Sequence, residues 1–238
     1  MTQFNEGAAA LVTGGASGIG AAVVNTLATQ GHGTVVVDRD PTVATGPGRT
    51  GIVADVSDPM AWREIVEVIT AQRVRLVVLA AGVNGGDAGP DLDALDDARI
   101  AAIVGVNLTG VVLGVRALAP ALAAEGGGTI VVIASGAGLE PFDRDPVYSA
   151  AKTGAVAFVR AAAGALAERG VTLVAVCPTT AVDTPMLTPA IRERMRASGR
   201  HPTAPTVIAT AIVDALGTDT PGAVYAVGAD GVLNRVGP

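Results

Sequence analysis

The chain is poor in the residues that anchor several common chemistries. It has one cysteine, Cys177, and two histidines, His32 and His201, far apart in sequence. One cysteine excludes an intramolecular disulfide and points to a reducing compartment. Two distant histidines do not make a His-based metal site, and neither accompanies a Gly-x-Ser-x-Gly serine motif, so a hydrolase triad has little support. Aromatic residues are only 3% of the chain although half of it is hydrophobic, so the core must be built from Ala, Val, Leu and Ile. That is the composition of buried parallel strands covered by close-packed helices. A net charge of −6, a pI near 4.8 and the lack of any Lys/Arg cluster argue against nucleic acid as a partner. Residues 1–7 are polar, with no basic segment leading into a hydrophobic one, and no apolar run approaches the length of a membrane span. A soluble cytoplasmic protein with no membrane partner is expected. With 238 residues, one domain suffices, and no internal repeat appears.

Strand-like apolar runs near residues 8–13, 34–38, 51–54, 74–80, 129–135, 172–177 and 223–227 alternate with helix-like segments. This alternation predicts an α/β fold: a doubly wound, Rossmann-type, mostly parallel seven-stranded sheet with helices on both faces and ligands at the carboxyl ends of the strands. One helix should span 91–124, with a kink or a break at Pro120. Glycine and proline gather at 46–51 and 82–90, which read as loops and not as domain boundaries.

Two motifs carry chemistry. Residues 147–152 read Val-Tyr-Ser-Ala-Ala-Lys, which puts Tyr148 and Lys152 on one face of an alanine-rich helix. An ammonium one turn from a phenol stabilises the phenolate, and lowering a phenol pKa from roughly 10 to near 7 needs roughly 4 kcal/mol of such stabilisation. Tyr148 is thus a candidate acid/base, although the same spacing also describes a buried ring beside a solvated amine. Near the N-terminus, an apolar run leads into Thr13-Gly14-Gly15-Ala16-Ser17-Gly18-Ile19-Gly20 and then a helix-like stretch. Such a strand, glycine turn and helix let the backbone and the helix N-terminus receive a pyrophosphate. The next strand ends on Asp38, where an acid binds adenosine ribose hydroxyls, or else caps the turn at Asp40-Pro41. Arg39 could hold a 2′-phosphate, but Asp38 would repel it and the glycine loop has no cation, so NAD is expected over NADP.

On these motifs the chain resembles the short-chain dehydrogenase/reductase family, in its compact single-domain branch, over nearly its whole length. Ser135 stands thirteen residues before Tyr148, and Asn107 twenty-eight before Ser135, at the family's intervals. The resemblance implies a catalytic set of Asn107, Ser135, Tyr148 and Lys152. It also implies that Gly14, Ser17, Gly18, Ile19, Gly20, Asp38 and Arg39 hold the cofactor together with Asp55, Val56, Ala81, Gly82, Tyr148, Lys152, Pro178 and Thr184. Within that set Asp55 and Val56 would contact adenine, and Pro178 and Thr184 the nicotinamide carboxamide. Asn107 would anchor a water chain to Lys152, while an Asn within a helix can equally be a local backbone-bonding kink. Two departures stand out. Leu79-Ala80-Ala81-Gly82 replaces the family's Asn-Asn-Ala-Gly, which implies lower stability there, and residues 178–184 run one residue longer than usual.

The implied activity is hydride exchange between a secondary alcohol or ketone and NAD, in a homodimer or homotetramer built on the helices at 91–124 and 148–169. The alternative is a catalytically silent NAD-binding regulatory or structural protein of the same fold. The substrate pocket would draw on 136–145, the loop after Gly82 and a lid over 184–205. These segments mix apolar Leu139, Phe142, Met186 and Leu187 with charged Glu140, Asp143 and Arg144. Arg144 either receives an acidic substrate or pairs with Asp143 and Asp145. Arg192, Arg194 and Arg196 read as a solvated helix face, and Cys177 as a buried thiol near the pocket.

Overall fold

The computed structural model describes residues 9–43, 45–89, 91–216 and 220–237. The polar segment 1–7, Ala8 of the first expected strand and Pro90 of the glycine-rich loop lie outside the described residues. Strands form at β1 Ala10–Thr13, β2 Thr34–Asp38, β3 Arg49–Val53, β4 Leu76–Leu79, β5 Gly128–Ile133, β6 Val171–Pro178, β7 Val224–Val227 and β8 Leu233–Val236. They make one sheet in the order β3-β2-β1-β4-β5-β6-β7-β8. All neighbours pair in parallel except β7 and β8. The order reverses between β1 and β4, which opens a crevice at their carboxyl ends. Seven strands were expected, and the eighth is an antiparallel edge. Its hairpin is legible in hindsight, because a five-residue connection containing Gly228, Asp230 and Gly231 joins two short β-type runs.

Helices cover both faces. On one side α2 Ala61–Ala71, α4 Gly110–Ala124 and α5 Pro146–Ala167 enclose a core that includes Trp62, Ile65, Leu118, Ile130 and Val159. On the other, α1 Gly18–Thr29 and α7 Pro205–Ala215 pack Val23, Leu27, Ile208 and Ile212 against Val12, Val78 and Val176. The strands at the centre are buried on both faces, which explains their unbroken Val, Leu and Ile runs. Local signals set the helix ends. Asp145 caps α5 ahead of Pro146, and the Thr188 hydroxyl caps α6 Pro189–Ala197. Gly31 closes α1 at φ +82.

The expected helix at 91–124 is subdivided. A 3₁₀ turn at Leu92–Ala94 precedes α3 Asp97–Val104, then a π-helical segment, Gly105–Thr109, leads into α4. The irregularity falls at Asn107 and not at Pro120, where α4 runs through without a break. The Asn107 amide donates to the carbonyls of Ile103 and Val83, which diverts the backbone from its regular ladder. Joined in this way, Asp97–Ala124 is 28 residues long and holds an 18-residue window with a mean hydropathy of 1.8, enough by length and composition to cross a membrane. This corrects the expectation that no apolar run reaches that length. Its buried side chains, among them Val111, Val115, Leu118 and Leu122, are those of a helix laid on the sheet.

Gly114 lets α4 meet the ring of Trp62, since a Cβ there would lie 2.7 Å from Trp62 Cη2. Gly114→Ala should therefore destabilise the fold by about 1–3 kcal/mol through overpacking. Urea unfolding followed by the fluorescence of Trp62, the chain's one tryptophan, would measure it.

Candidate active site

The residues singled out from sequence gather along the carboxyl edge of the sheet. Gly14 follows β1, Asp38 ends β2, Asp55 and Val56 follow β3, Ala81 and Gly82 follow β4, Ser135 follows β5 and Pro178 ends β6. The glycine loop is tight. Gly14 has φ +67, and a Cβ on it would lie 2.7 Å from Ala81 Cα. A Cβ on Gly20 would run into the carbonyl of Gly14, so α1 starts directly beneath the loop. Ser17 stands at the N-cap of α1 but its side chain makes no cap bond. The first amides of α1 thus have no side-chain cap, and they point a helix N-terminus into the crevice, as an anion site requires. Ile19 packs into the core below. This cradle fits a dinucleotide pyrophosphate.

The turn-capping reading of Asp38 holds, and its carboxylate reaches the glycine loop as well. One carboxylate oxygen accepts from the Ala16 amide at 3.0 Å, and the other from the Asp40 amide at 3.0 Å. The side chain therefore ties β2 to the glycine loop while it sits at the crevice. Asp55 accepts from the Ser57 hydroxyl and amide at 2.6 and 2.8 Å, and these bonds hold its carboxyl below the usual range, with a smaller contribution from Arg39. Val56 is buried, and its carbonyl takes the Trp62 indole N–H at 3.0 Å. The Leu79-Ala80 departure is offset by Thr13, whose buried hydroxyl accepts from the amides of Ala80 and Ala81 at 3.1 and 3.2 Å.

Around Gly82 three further groups converge. A Cβ on it would lie 3.0 Å from Asn107 Oδ1, 3.6 Å from Met186 Cε and 3.7 Å from Lys152 Nζ. Asn107 is fully buried, and Oδ1 makes no hydrogen bond to the described residues. Lys152 is 3% exposed and donates to the Ile133 carbonyl at 2.8 Å. Its ammonium lies 5.7 Å from the Tyr148 ring centroid. Ser135 opens a short turn, and its hydroxyl accepts from the Ala137 amide at 3.1 Å. The Ser149 hydroxyl donates to Ala137 O at 2.7 Å, which stitches that turn to α5. The hydrogen bonds made by Ser149, Thr13 and Asp145 escaped the reading of the sequence. Of these, only Asp145-Pro146 carried a local signal, that of a helix cap.

The protonation balance differs from the simple pairing. Burial pushes the Tyr148 phenol up to about 12, against a hydrogen bond with Ser135 that lowers it, while Asp145 and Cys177 raise it further. The Lys152 ammonium is bonded to Ile133 O, and burial is the largest influence on the phenol. The expected depression of the phenol toward neutrality is therefore absent in the chain alone. Burial also pulls Lys152 down to about 8, and Cys177, a buried free thiol on β6, is pushed up to about 11.

The surrounding segments also correct the sequence reading. Arg192 is not part of a solvated face. Its guanidinium donates to Leu187 O at 3.1 Å and Thr184 O at 2.8 Å and pairs with Asp183, which fixes the stretch before α6. Arg194 and Arg196 are exposed as expected, and Arg196 pairs with Glu193. Arg144 forms no ion pair with Asp143 or Asp145, because the Asp145 carboxylate is taken by backbone amides. Thr184 packs its methyl against Gly18, so the end of this stretch meets the glycine loop. Leu139 joins the core and Met186 reaches Gly82, whereas Glu140, Phe142, Asp143 and Arg144 are exposed.

Residues 8–195 match the family model described as short chain dehydrogenase. The chain belongs to the short-chain dehydrogenase/reductase family. It is 31% identical over 186 residues to D-threitol dehydrogenase of Mycolicibacterium smegmatis, covering 73% of this chain and 70% of that protein. It is 30% identical over 191 residues to a 2,5-dichloro-2,5-cyclohexadiene-1,4-diol dehydrogenase of Sphingobium indicum, covering 75% and 74%. Among solved structures, a 3-ketoacyl-(acyl-carrier-protein) reductase from Brucella melitensis complexed with NADH superposes with a TM-score of 0.82 at 27% identity, over 95% of this chain and 99% of that one. A candidate NAD(P)-dependent gluconate 5-dehydrogenase from Beutenbergia cavernae, with NADP bound, gives 0.81 at 27% identity, over 95% and 96%. As a family member the protein is an oxidoreductase that uses a nicotinamide cofactor.

Because the folded Lys152 titrates near 8 and an unfolded lysine near 10.5, the unfolded chain holds a proton in that window that the folded chain has released. Lys152 thus adds stability as pH rises from about 8 toward 10.5, and that contribution is lost as pH falls through about 8. Lys152→Met should flatten this part of a urea-midpoint profile against pH.

Proposed function

We propose that this oxidoreductase exchanges a hydride reversibly between a secondary alcohol or ketone and NAD, with Tyr148 as the acid/base. The observation that carries the reading is the convergence of Tyr148, Lys152, Ser135 and Asn107 on the end of β4 and β5, beside an uncapped helix N-terminus and its glycine cradle. When bound, the nicotinamide supplies the group that accepts or gives the hydride. The amides from Gly14 to Gly20 would hold its pyrophosphate, Asp38 the adenosine ribose, Asp55 and Val56 the adenine, and Lys152 the nicotinamide ribose. Ala81, Gly82, Pro178 and Thr184 would complete the nicotinamide side.

Ser135 hydrogen-bonds the substrate oxygen, and Tyr148 gives that oxygen a proton in reduction or takes one in oxidation. A phenol pushed up to about 12 by burial is protonated at neutral pH, the form that donates to a ketone oxygen. Lys152 brings positive charge into the same pocket, and Asn107 Oδ1, a buried acceptor without a donor among the described residues, offers a place for a water leading toward Lys152. NAD is favoured over NADP because an acid at the end of the second strand, here Asp38, suits ribose hydroxyls and would repel a 2′-phosphate. The substrate is a moderately apolar hydroxy compound, in keeping with Met186 beside Gly82. We also propose a cytoplasmic setting, which the chain's one cysteine supports.

Binding of NADH and NADPH, followed by a screen of secondary alcohols and ketones, tests the reading. Tyr148→Phe should abolish turnover and leave NAD affinity nearly intact, and oxidation by the native protein should quicken toward alkaline pH as phenolate forms. Near-normal turnover in Tyr148→Phe would remove Tyr148 as the acid/base. Tight binding with no turnover by the native protein would instead leave a silent regulatory or structural protein. For the assembly we propose a homodimer or homotetramer packed on α4 and α5, where Ala157, Ala161, Gly164 and Ala165 leave an exposed face of small side chains. Light scattering should return a multiple of 23.4 kDa, and the monomer mass would reject the assembly.

A further inference from the structure

We infer that Asp145 is a positioning residue: one buried carboxylate fastens the loop after β4, through the Gly85 amide, to the first turn of the helix that carries Tyr148. Asp145 is 4% exposed. Its Oδ1 accepts from the Tyr148 amide at 3.1 Å, an ordinary cap bond, and Oδ2 accepts from the Gly85 amide at 2.6 Å, sixty residues away in sequence. A cap alone needs one oxygen, which Ser, Thr or Asn would supply as well. The second oxygen is what a carboxylate adds.

The loop is shaped to reach it. A Cβ on Gly85 would lie 3.0 Å from Asp145 Oδ2 and 2.8 Å from Gly89 Cα, and a Cβ on Gly89 would run into Arg144 O. The loop backbone is thereby pressed onto the cap. Its other ties lead to the rest of the site. Val83 O accepts from Asn107 at 2.6 Å, Asn84 O accepts from Arg99 on α3, and the Asn84 amide reaches Met186 O at 3.4 Å. One bond thus couples the helix bearing the phenol to a loop that begins beside Lys152. The charged and titratable groups around Tyr148 are Asp145 and Lys152 on α5 and Cys177 on β6, with the Ser135 hydroxyl after β5; Asp145 and Cys177 raise the phenol and Ser135 lowers it. Arg99 on α3 meets the same loop at the Asn84 carbonyl.

The kinetic consequence rests on the proposed role of Tyr148, but two readouts do not. Asp145→Ser keeps the cap and is too short for Gly85, so hydrogen exchange at the Gly85 amide should quicken about tenfold. Asp145→Asn keeps cap and volume but loses the charge, so the Tyr148 phenolate absorbance should appear at lower pH. The chain has two tyrosines, and Tyr148→Phe identifies the signal of Tyr148. Substrate KM should rise about tenfold in either variant while kcat changes less and NADH affinity holds. If Asp145→Ser fails to fold, the Asp145→Asn titration and its Gly85 exchange decide. Unchanged Gly85 exchange together with an unmoved phenolate titration would overturn the inference. Absence of turnover with any substrate would strike the proposed reaction and leave the role of Asp145 standing.

Discussion

The seating of α5 on the end of β5 governs the rest of the site. Gly138 allows it, since a Cβ there would lie 2.7 Å from Lys152 O. Backbone against backbone, the turn that follows Ser135 and the helix that carries Tyr148 become one body, closed by the Ser149 hydroxyl on Ala137 O and the Lys152 ammonium on Ile133 O. Burying an ammonium costs free energy unless its donors are met. The carbonyl at the end of β5 meets one of them, and the remainder of the charge looks into the crevice. The same burial that orders these groups explains their opposed titrations, with the neutral form favoured for Tyr148 and for Lys152 alike. An arrangement that disfavours charge on both partners is poised for a bound charged group to change the balance.

The second half of the site is built on absence of bulk. Gly14 and Gly20 let β1, the start of α1 and the end of β4 approach within van der Waals contact at the point where strand order reverses. Thr13 then supplies the hydroxyl that the amides of Ala80 and Ala81 require. A departure in the loop after β4, which on sequence alone reads as a loss of stabilising side chains, is thus compensated from the neighbouring strand. The bond is non-local in sequence and local in space.

Beyond this edge, the segments after β4 and β6 are tied to each other and to the core through polar contacts. Asn84 reaches Met186 O, Thr188 donates to Asp87 at 2.6 Å, and Arg192 gathers Asp183, Thr184 and Leu187. Such contacts explain why a stretch rich in proline and charge has a defined course beside the site. The relatives act on substrates as different as a polyol, a chlorinated cyclohexadienediol and an acyl-carrier-bound ketone, by their names. Variation of that kind belongs in loops carried by a fixed scaffold.

By itself, the sequence determined the fold class and the order of the strands' ends. Buried parallel strands demand continuous apolar runs, glycines mark where backbones must touch, and the spacing of Tyr148 and Lys152 follows from the helical repeat. Those signals are local, and local signals survive in one dimension. The hairpin of the eighth strand and the proline after Asp145 left local signals too, although the sequence reads as seven strands with no cap at Asp145. What only the tertiary structure decided were the partners of polar groups: Thr13 with Ala80, Asp145 with Gly85, Arg192 with Thr184, and Lys152 with Ile133. Hydrogen bonds between distant segments leave no periodicity in the chain, and the desolvation that sets the titration of Tyr148 depends on every layer packed around it.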